Sequence, residues 1–315
     1  MRILSGRDIA DLVDVAALMP AIAAAMRAVS RGAAELPLRS MVKLPGRDMM
    51  GMMGGWLGDP AGHGIKVLSL FPDNPRHGRS SHAGLMLLFD PATGLARACL
   101  DAAVLTAMRT AAATAVATNL LARPDATRLA ILGCGEQAAI HVAAMKAIRP
   151  IGRIAVWGRD PAKAAAFAAA HGALVAASVA EAVAGADIVV TATPASTPFL
   201  LPAMLQPGQH IAAVGASIPG MQEIDAACLP RLRVFTDYLP SLEAQAAEVI
   251  AARRAGYDPQ PVEIGAVLNG APGRTSSTEI TLYRSLGIAA QDLAAAHAVL
   301  ALAEAAGRGV VVDMT

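Results

Sequence analysis

Cysteine, charge and long uninterrupted apolar runs are all scarce in this chain, and each scarcity closes off a class of function. The three cysteines, Cys99, Cys134 and Cys228, stand far apart and are odd in number. They offer neither metal-ligand spacing nor a disulfide framework, so no metal site is expected and a reducing, cytoplasmic setting is. Charged residues make up 16% of the 315, and the formal net charge is +1. Nothing therefore points to a nucleic-acid groove or a polybasic membrane arm. No stretch of about eighteen apolar residues is free of charge, so no membrane span is expected. The N-terminal MRILSGRDIADLVD carries charges throughout in place of a signal-peptide core.

What the chain has in quantity is apolar side chain, 55% of all residues, enough to bury a large core and to divide into two domains. Ser5 reads as the cap of a first helical segment, and Pro20 as the start of another that runs to about Arg31. Strand-like pieces follow at Arg39–Leu44, Met49–Trp56, Gly64–Phe71 and Ala83–Asp90, punctuated by Pro45-Gly46, Asp59-Pro60 and Pro72-Asp73-Asn74-Pro75. Asp90-Pro91-Ala92-Thr93-Gly94 reads as a hairpin turn into Leu95–Leu100. From Leu129 the pattern changes. Strands at Leu129–Leu132, Arg153–Trp157, Leu174–Ala176, Ile188–Thr191, His210–Val214 and Val234–Thr236 alternate with helices, notably Ala162–His171 and Val179–Ala184. Such alternation predicts a parallel, doubly wound sheet with ligands at the carboxyl ends of its strands. A long helical run, Ile288 to Arg308, and a last strand, Val310–Val312, lead back to the first domain. The expected division is residues 1–112 with 295–315, and 113–294.

Gly133-Cys134-Gly135-Glu136-Gln137-Ala138 follows the strand Leu129–Leu132 and opens a helical run. Strand, G-x-G-x-x-A and helix together form a dinucleotide fingerprint. The first glycine permits the tight turn and the second lets the backbone approach a pyrophosphate. The small Ala138 lets helix and strand pack closely, with the phosphates on the helix N-terminus. About twenty residues on, the second strand ends in Gly158-Arg159-Asp160, where such a site tests the ribose 2′ position. The planar fork of Arg159, with Lys163 nearby, suits a 2′-phosphate and favours NADP(H). Asp160 pointing inward would select NAD(H); as the cap of the helix begun by Pro161 it would select nothing.

The segments LPLRSMVKLP, GIKVLSLFPDNP, SHAGLMLLFDPATG, MRTAAATA with the GCGEQA turn, AVGASIPGMQEID and ITLYRSLGIAAQDLA occur in the order found in the ornithine cyclodeaminase/mu-crystallin family. The chain resembles that family over essentially its whole length. The resemblance implies a Rossmann domain binding NAD(H) or NADP(H). It also implies an α+β substrate and dimerisation domain formed by both chain ends, in a homodimer built through the substrate-domain sheets. Arg39, Lys66 and Arg109 match the family's substrate-pocket cations: two arginines can clamp an α-carboxylate, and Lys66 can orient the reacting group and take part in proton transfer. His82 matches a family histidine, whose role is either structural hydrogen bonding or catalysis. Arg109 and Thr110 are expected to open the long helix and face the cofactor. Thr191, Thr193, Val214, Gly215 and Ser217, with Leu286 and Gly287 in YRSLGIA, match cofactor walls. The family often carries an acid where Gln291 stands, a departure that weakens any role there, and Glu223 and Asp225 resemble structural positions, most simply a helix cap.

Ser217 is the discriminating position. Members resembling ornithine cyclodeaminase place an aspartate here, in a GGDCPGK-type segment, and a lysine at Met221. This chain reads GASIPGM, close to the GAS-x-P of ketimine reductases. A cyclodeaminase must oxidise an amine, expel ammonia and return the hydride, which calls for an ionisable group; a serine hydroxyl is no base at neutral pH unaided. Reducing a preformed cyclic imine is chiefly a matter of positioning. The expected activity is NAD(P)H-dependent reduction of a small cyclic imino acid, with Lys66, Arg109 and Ser217 as catalytic candidates. The alternatives are an ornithine or lysine cyclodeaminase, an alanine-dehydrogenase-like enzyme, and a ligand-binding protein that holds NADP(H) with little turnover.

Overall fold

A computed structural model describes residues 1–314. By its internal contacts the chain divides into two units, residues 1–109 with 288–315, and residues 110–287.

The first unit is built on an eight-stranded sheet. The long antiparallel strands Met49–Gly58, Ala61–Leu70, His82–Phe89 and Ala96–Asp101 form its middle. Ser40–Lys43 and Ala34–Glu35 pair with the first of these. At the other edge Arg2–Leu4 lies parallel to Ala96–Asp101, and Val310–Val311 completes the sheet, so both chain ends meet there. In Ala61–Leu70 burial alternates strictly, residues 62, 64, 66 and 68 facing inward, as the two-residue period of a half-buried strand dictates. The helices Val15–Ser30 and Ala289–Ala305 cover that inner face.

Pro20 does not start a helix. One helix runs from Val15 to Ser30 with the proline inside it. The Asp14 carboxylate accepts from the Ala17 amide at 2.8 Å, and Val15, Leu18 and Ile22 are buried on either side of the proline. Packing thus carries the helix past a residue that costs it one internal hydrogen bond.

The second unit is a wholly parallel eight-stranded sheet. Its order is Leu174–Val175, Arg153–Trp157, Arg128–Leu132, Ile188–Thr191, His210–Ala213, Ile280–Arg284, Leu232–Thr236, Val262–Glu263. A contiguous core of aliphatic residues from its strands and flanking helices fills it. The strand Ile280–Arg284 was not among those expected; all five residues are buried and it is inserted between His210–Ala213 and Leu232–Thr236. Its two polar residues, Thr281 and the terminal Arg284, break the apolar pattern by which buried parallel strands are read. The register pairs Leu132 with Thr191, Thr191 with Ala213 and Ala213 with Arg284, so the loops after these strands leave at one level.

The helix Ala102–Leu121 begins earlier than expected, directly after Asp101. Arg109 and Thr110 therefore sit in its middle and do not open it. By length and composition this helix could cross a bilayer, but 78% of the qualifying window is buried inside the protein, as in the central helix of a globular domain.

Candidate active site

In the first unit, strand alternation turns Lys66 inward between Met53 and Met86 on the neighbouring strands. A buried ammonium needs a partner, and Lys66, 1% exposed, finds it in Asp292. Its Nζ lies 2.8 Å from Oδ1 and 2.7 Å from Oδ2. Arg109 donates through Nε to the same Oδ1 at 2.8 Å, and through a terminal nitrogen to the Gln291 side-chain oxygen at 3.1 Å. Asp292 stands in the first turn of Ala289–Ala305, where the helix dipole favours a carboxylate.

These charges shift one another. Burial pushes Lys66 down to about 7 against the pull of Asp292, and the Arg109 and Arg39 charges add to the lowering. Burial raises the Asp292 carboxyl, but Lys66 and Arg109 outweigh it and hold it below its ordinary value. Desolvation and the charges of Lys66 and Arg109 lower the His82 imidazole, although its side chain reaches solvent. Arg39, half-buried just before the strand Ser40–Lys43, acts on Lys66 through its charge. The structure thus gathers Arg39, Lys66, His82 and Arg109 into one electrostatic cluster.

Its organiser is Asp292, which follows Gln291 in AQDLA and to which the sequence assigns no role, the family's acid often standing at Gln291. The signal was present: one acid in the alanine-rich start of a helix, and one lysine inside an apolar strand, each needing an opposite charge. The observed division of the chain also puts Gln291 and Asp292 in the first unit, not among residues 113–294.

In the second unit the glycine turn is built for close approach. Gly133 has φ +128°, and a Cβ there would lie 2.5 Å from the Ala192 carbonyl. Gly135 is the N-cap of the helix Glu136–Ile148, makes no side-chain cap, and has open space where a Cβ would stand. Ala138 is fully buried, and the Gln137 side-chain oxygen is buried without a hydrogen-bond partner. Free amides at the start of a helix, beside open space and an unused polar atom, fit a dinucleotide pyrophosphate. Glu136 is exposed at the first position.

This helix is tied down by His141, whose Nδ1 meets the Gln137 carbonyl at 2.7 Å and whose Nε2 meets Thr114 Oγ1 at 3.0 Å. Burial pushes His141 down to about 4, so it is neutral at physiological pH. Thr114 also bonds the Thr110 carbonyl at 2.9 Å; Thr110 itself is buried. Arg159 is exposed after the second strand, while Asp160 Oδ1 accepts from the amides of Ala162 and Lys163 at 3.0 and 3.2 Å. Asp160 is therefore the helix cap.

The threonines expected to line a cofactor are otherwise engaged. Glu223, 2% exposed, accepts from Thr191 Oγ1 at 2.8 Å, from the Thr193 amide and hydroxyl at 2.7 and 2.8 Å, and from the Gly215 amide at 2.9 Å. It joins the loops after two strands and caps no helix; Asp225 does cap, through the Ala227 amide. Burial raises the Glu223 carboxyl despite these bonds. Gly215 must be glycine, since a Cβ would strike the Thr193 backbone. Val214 is buried, its amide bonded to the Thr191 carbonyl at 2.9 Å. Ser217 is half-buried two residues beyond Gly215. The amides of Leu286 and Gly287 are taken by Asp237 Oδ2 at 2.8 and 2.9 Å. These two carboxylates fix the shape of the loops that carry Gly215 and Leu286–Gly287.

The model of the ornithine cyclodeaminase/mu-crystallin family matches residues 2–306. The ketimine reductase mu-crystallin of Mus musculus is 32% identical over 304 residues, 94% of this chain and 95% of its own length. Among solved structures, the Thermococcus litoralis Δ1-pyrroline-2-carboxylate reductase in complex with NADH and L-proline superposes with TM-score 0.94 at 28% identity, covering 99% of this chain and 100% of that one. An archaeal alanine dehydrogenase dimer with bound NAD gives 0.93 at 27% identity, covering 100% and 99%.

Proposed function

As this chain belongs to the ornithine cyclodeaminase/mu-crystallin family and is an NAD(P)-dependent oxidoreductase of carbon–nitrogen bonds, we propose that it reduces a small cyclic imino acid. The substrate is Δ1-pyrroline-2-carboxylate or Δ1-piperideine-2-carboxylate, giving L-proline or L-pipecolate. The first unit takes the imino acid and the second the dinucleotide.

One observation carries this reading: Lys66 and Arg109 end on the single carboxylate of Asp292. When Lys66 is protonated, one negative charge offsets only one of the two buried cations; a substrate carboxylate supplies the other and so holds the Lys66 proton that burial alone brings down to about 7. Arg39 adds attraction, and a site with this surplus selects a compact anion. The dinucleotide, when bound, supplies the hydride. Lys66, lowered to about 7, is near the optimum for giving a proton to the imine nitrogen at neutral pH. Ser217 orients the ring, since a hydroxyl cannot supply the base that oxidising an amine requires.

NADP(H) is the preferred cofactor in this reading. Asp160 is spent on its helix while Arg159 remains exposed, which leaves a cation for a 2′-phosphate. A homodimer covers the outer face of the first unit's sheet, where Val42, Trp56 and Leu85 are 40%, 43% and 51% exposed; an apolar sheet face of this kind calls for a second copy. Its three cysteines are free, which suits the reducing cytoplasm.

The test follows NADPH and NADH oxidation at about 340 nm with both imino acids, beside L-ornithine with catalytic NAD and an ammonia readout. Imine-dependent oxidation faster with NADPH is the expected result. Ammonia from ornithine without net cofactor change would overturn it.

A further inference from the structure

The strand Ile280–Arg284 ends in an arginine that is 1% exposed, and its whole fork is used. Nε donates to Glu248 Oε1 at 2.5 Å. One terminal nitrogen donates to the Ala216 carbonyl. The other reaches the carbonyls of Ser285 at 3.1 Å and Ala213 at 3.4 Å. Those three carbonyls belong to the end of strand His210–Ala213, the turn that carries Ser217, and the segment leading into Leu286–Gly287. Glu248, on the helix Ala247–Arg254, is equally buried, and its second oxygen has no hydrogen-bond partner.

A buried arginine–glutamate pair is a costly way to hold a loop, because two charges must be desolvated for little net stability. The pair does what a neutral donor cannot. A planar fork with its charge anchored on one side fixes several acceptors at once. The Ser217 turn is gripped on consecutive residues: Glu223 takes the Gly215 amide and Arg284 takes the Ala216 carbonyl. Holding an N–H and the next residue's C=O sets the direction in which the backbone enters Ser217. The Arg284 charge also lowers the Glu223 carboxyl, so the two grips share one electrostatic neighbourhood.

We propose that Arg284, anchored by Glu248, is a positioning residue that sets the Ser217 turn against the Ser285–Gly287 segment, and thereby aligns the nicotinamide end of the bound dinucleotide. This rests on the imine-reductase reading of Ser217, but its test does not depend on turnover alone. Arg284→Lys keeps the charge facing Glu248 and loses the fork. The combined Arg284→Met, Glu248→Gln variant removes both charges, so no buried charge is left alone.

Each folded variant is titrated with NADPH, following both affinity and the nicotinamide emission of the bound form, and then assayed with Δ1-pyrroline-2-carboxylate. Arg284→Lys is expected to unfold at a lower temperature, because buried carbonyls lose their donor, but to stay folded at assay temperature and bind NADPH within about twofold. Its bound nicotinamide emission is reduced and its kcat is at least about tenfold lower, as expected for misplacement, with the imino-acid KM little changed. The combined variant is expected to be more stable than Arg284→Met or Glu248→Gln alone, each of which leaves one buried charge unpaired, but to show neither wild-type emission nor wild-type kcat. Wild-type emission and kcat in Arg284→Lys, or their recovery together with stability in the combined variant, would overturn the proposal. A wild-type protein that binds NADPH but leaves the imine unreduced would instead count against the imine-reductase reading, and the emission data would still decide the role of Arg284.

Discussion

Both units bury charge, and they use it in opposite ways. In the first, Lys66 and Arg109 meet one carboxylate, Asp292, and burial brings the Lys66 pKa down to about 7, so a second positive charge is held there only weakly. In the second, the carboxylates of Glu223 and Asp237 are consumed by backbone amides and hydroxyls from the protein itself, four hydrogen bonds on Glu223 alone. In the proposed reading the first arrangement takes up a ligand anion. The second is complete and serves to shape loops. Charge type alone therefore does not mark a binding residue; whether the partners sum to neutrality does.

Removing Asp292 breaks the comparison most severely. Asp292→Ala leaves Lys66 and Arg109 buried without their carboxylate, and a loss of about 3–5 kcal/mol is expected, read by urea unfolding. An unchanged midpoint would mean that the cluster is hydrated. Next in size is Arg109→Met. It deletes one of the two buried cations, so kcat/KM for the imino acid is expected to fall by about a thousandfold, by loss of a charge-assisted clamp, while dinucleotide affinity stays near wild type.

Asp292→Asn sharpens the comparison through pH. The Asp292 charge raises the Lys66 pKa against burial, so neutralising it lowers that pKa further below about 7. Proton donation needs protonated Lys66 and is lost as pH rises through its pKa. The descending limb of kcat/KM against pH is therefore expected to move to lower pH; a limb that stays in place would assign the proton to another group. Glu223→Gln is the counterpart in the second unit. A carboxamide oxygen accepts fewer of the four bonds, and NADPH is expected to bind about tenfold more weakly, with loosened loops, while the imino-acid KM is unmoved. The smallest effect belongs to Arg159→Ala, expected to raise the KM for NADPH several-fold and leave that for NADH alone.

What could be read in the sequence follows the same division. The glycine turn was legible because its constraints are local: Gly133 needs its positive φ and Gly135 the open space above a helix start. The cations Arg39, Lys66 and Arg109 were legible through family segments. Asp292 was not, because its partner Lys66 is 226 residues away and no local pattern joins them. Thr191 and Thr193 were read as cofactor walls for the complementary reason: a hydroxyl at a strand end looks available until the acceptor 32 residues further on, Glu223, is seen to take it. Arg284 ended an unnoticed strand, since a charge inside a parallel sheet contradicts the pattern by which such strands are found.

The surplus charge on the Lys66–Asp292–Arg109 cluster is most directly tested by proton uptake. Calorimetric titration with pyrrole-2-carboxylate, a flat carboxylate whose nitrogen does not titrate near neutrality, would be run in buffers of different ionisation enthalpy. An anion seated on Lys66 raises its pKa from about 7. Binding should therefore take up close to one proton at about pH 8, where free Lys66 is largely neutral, and almost none at about pH 6, where it is already charged. No uptake at about pH 8, or release of a proton, would show that the anion does not bind against Lys66.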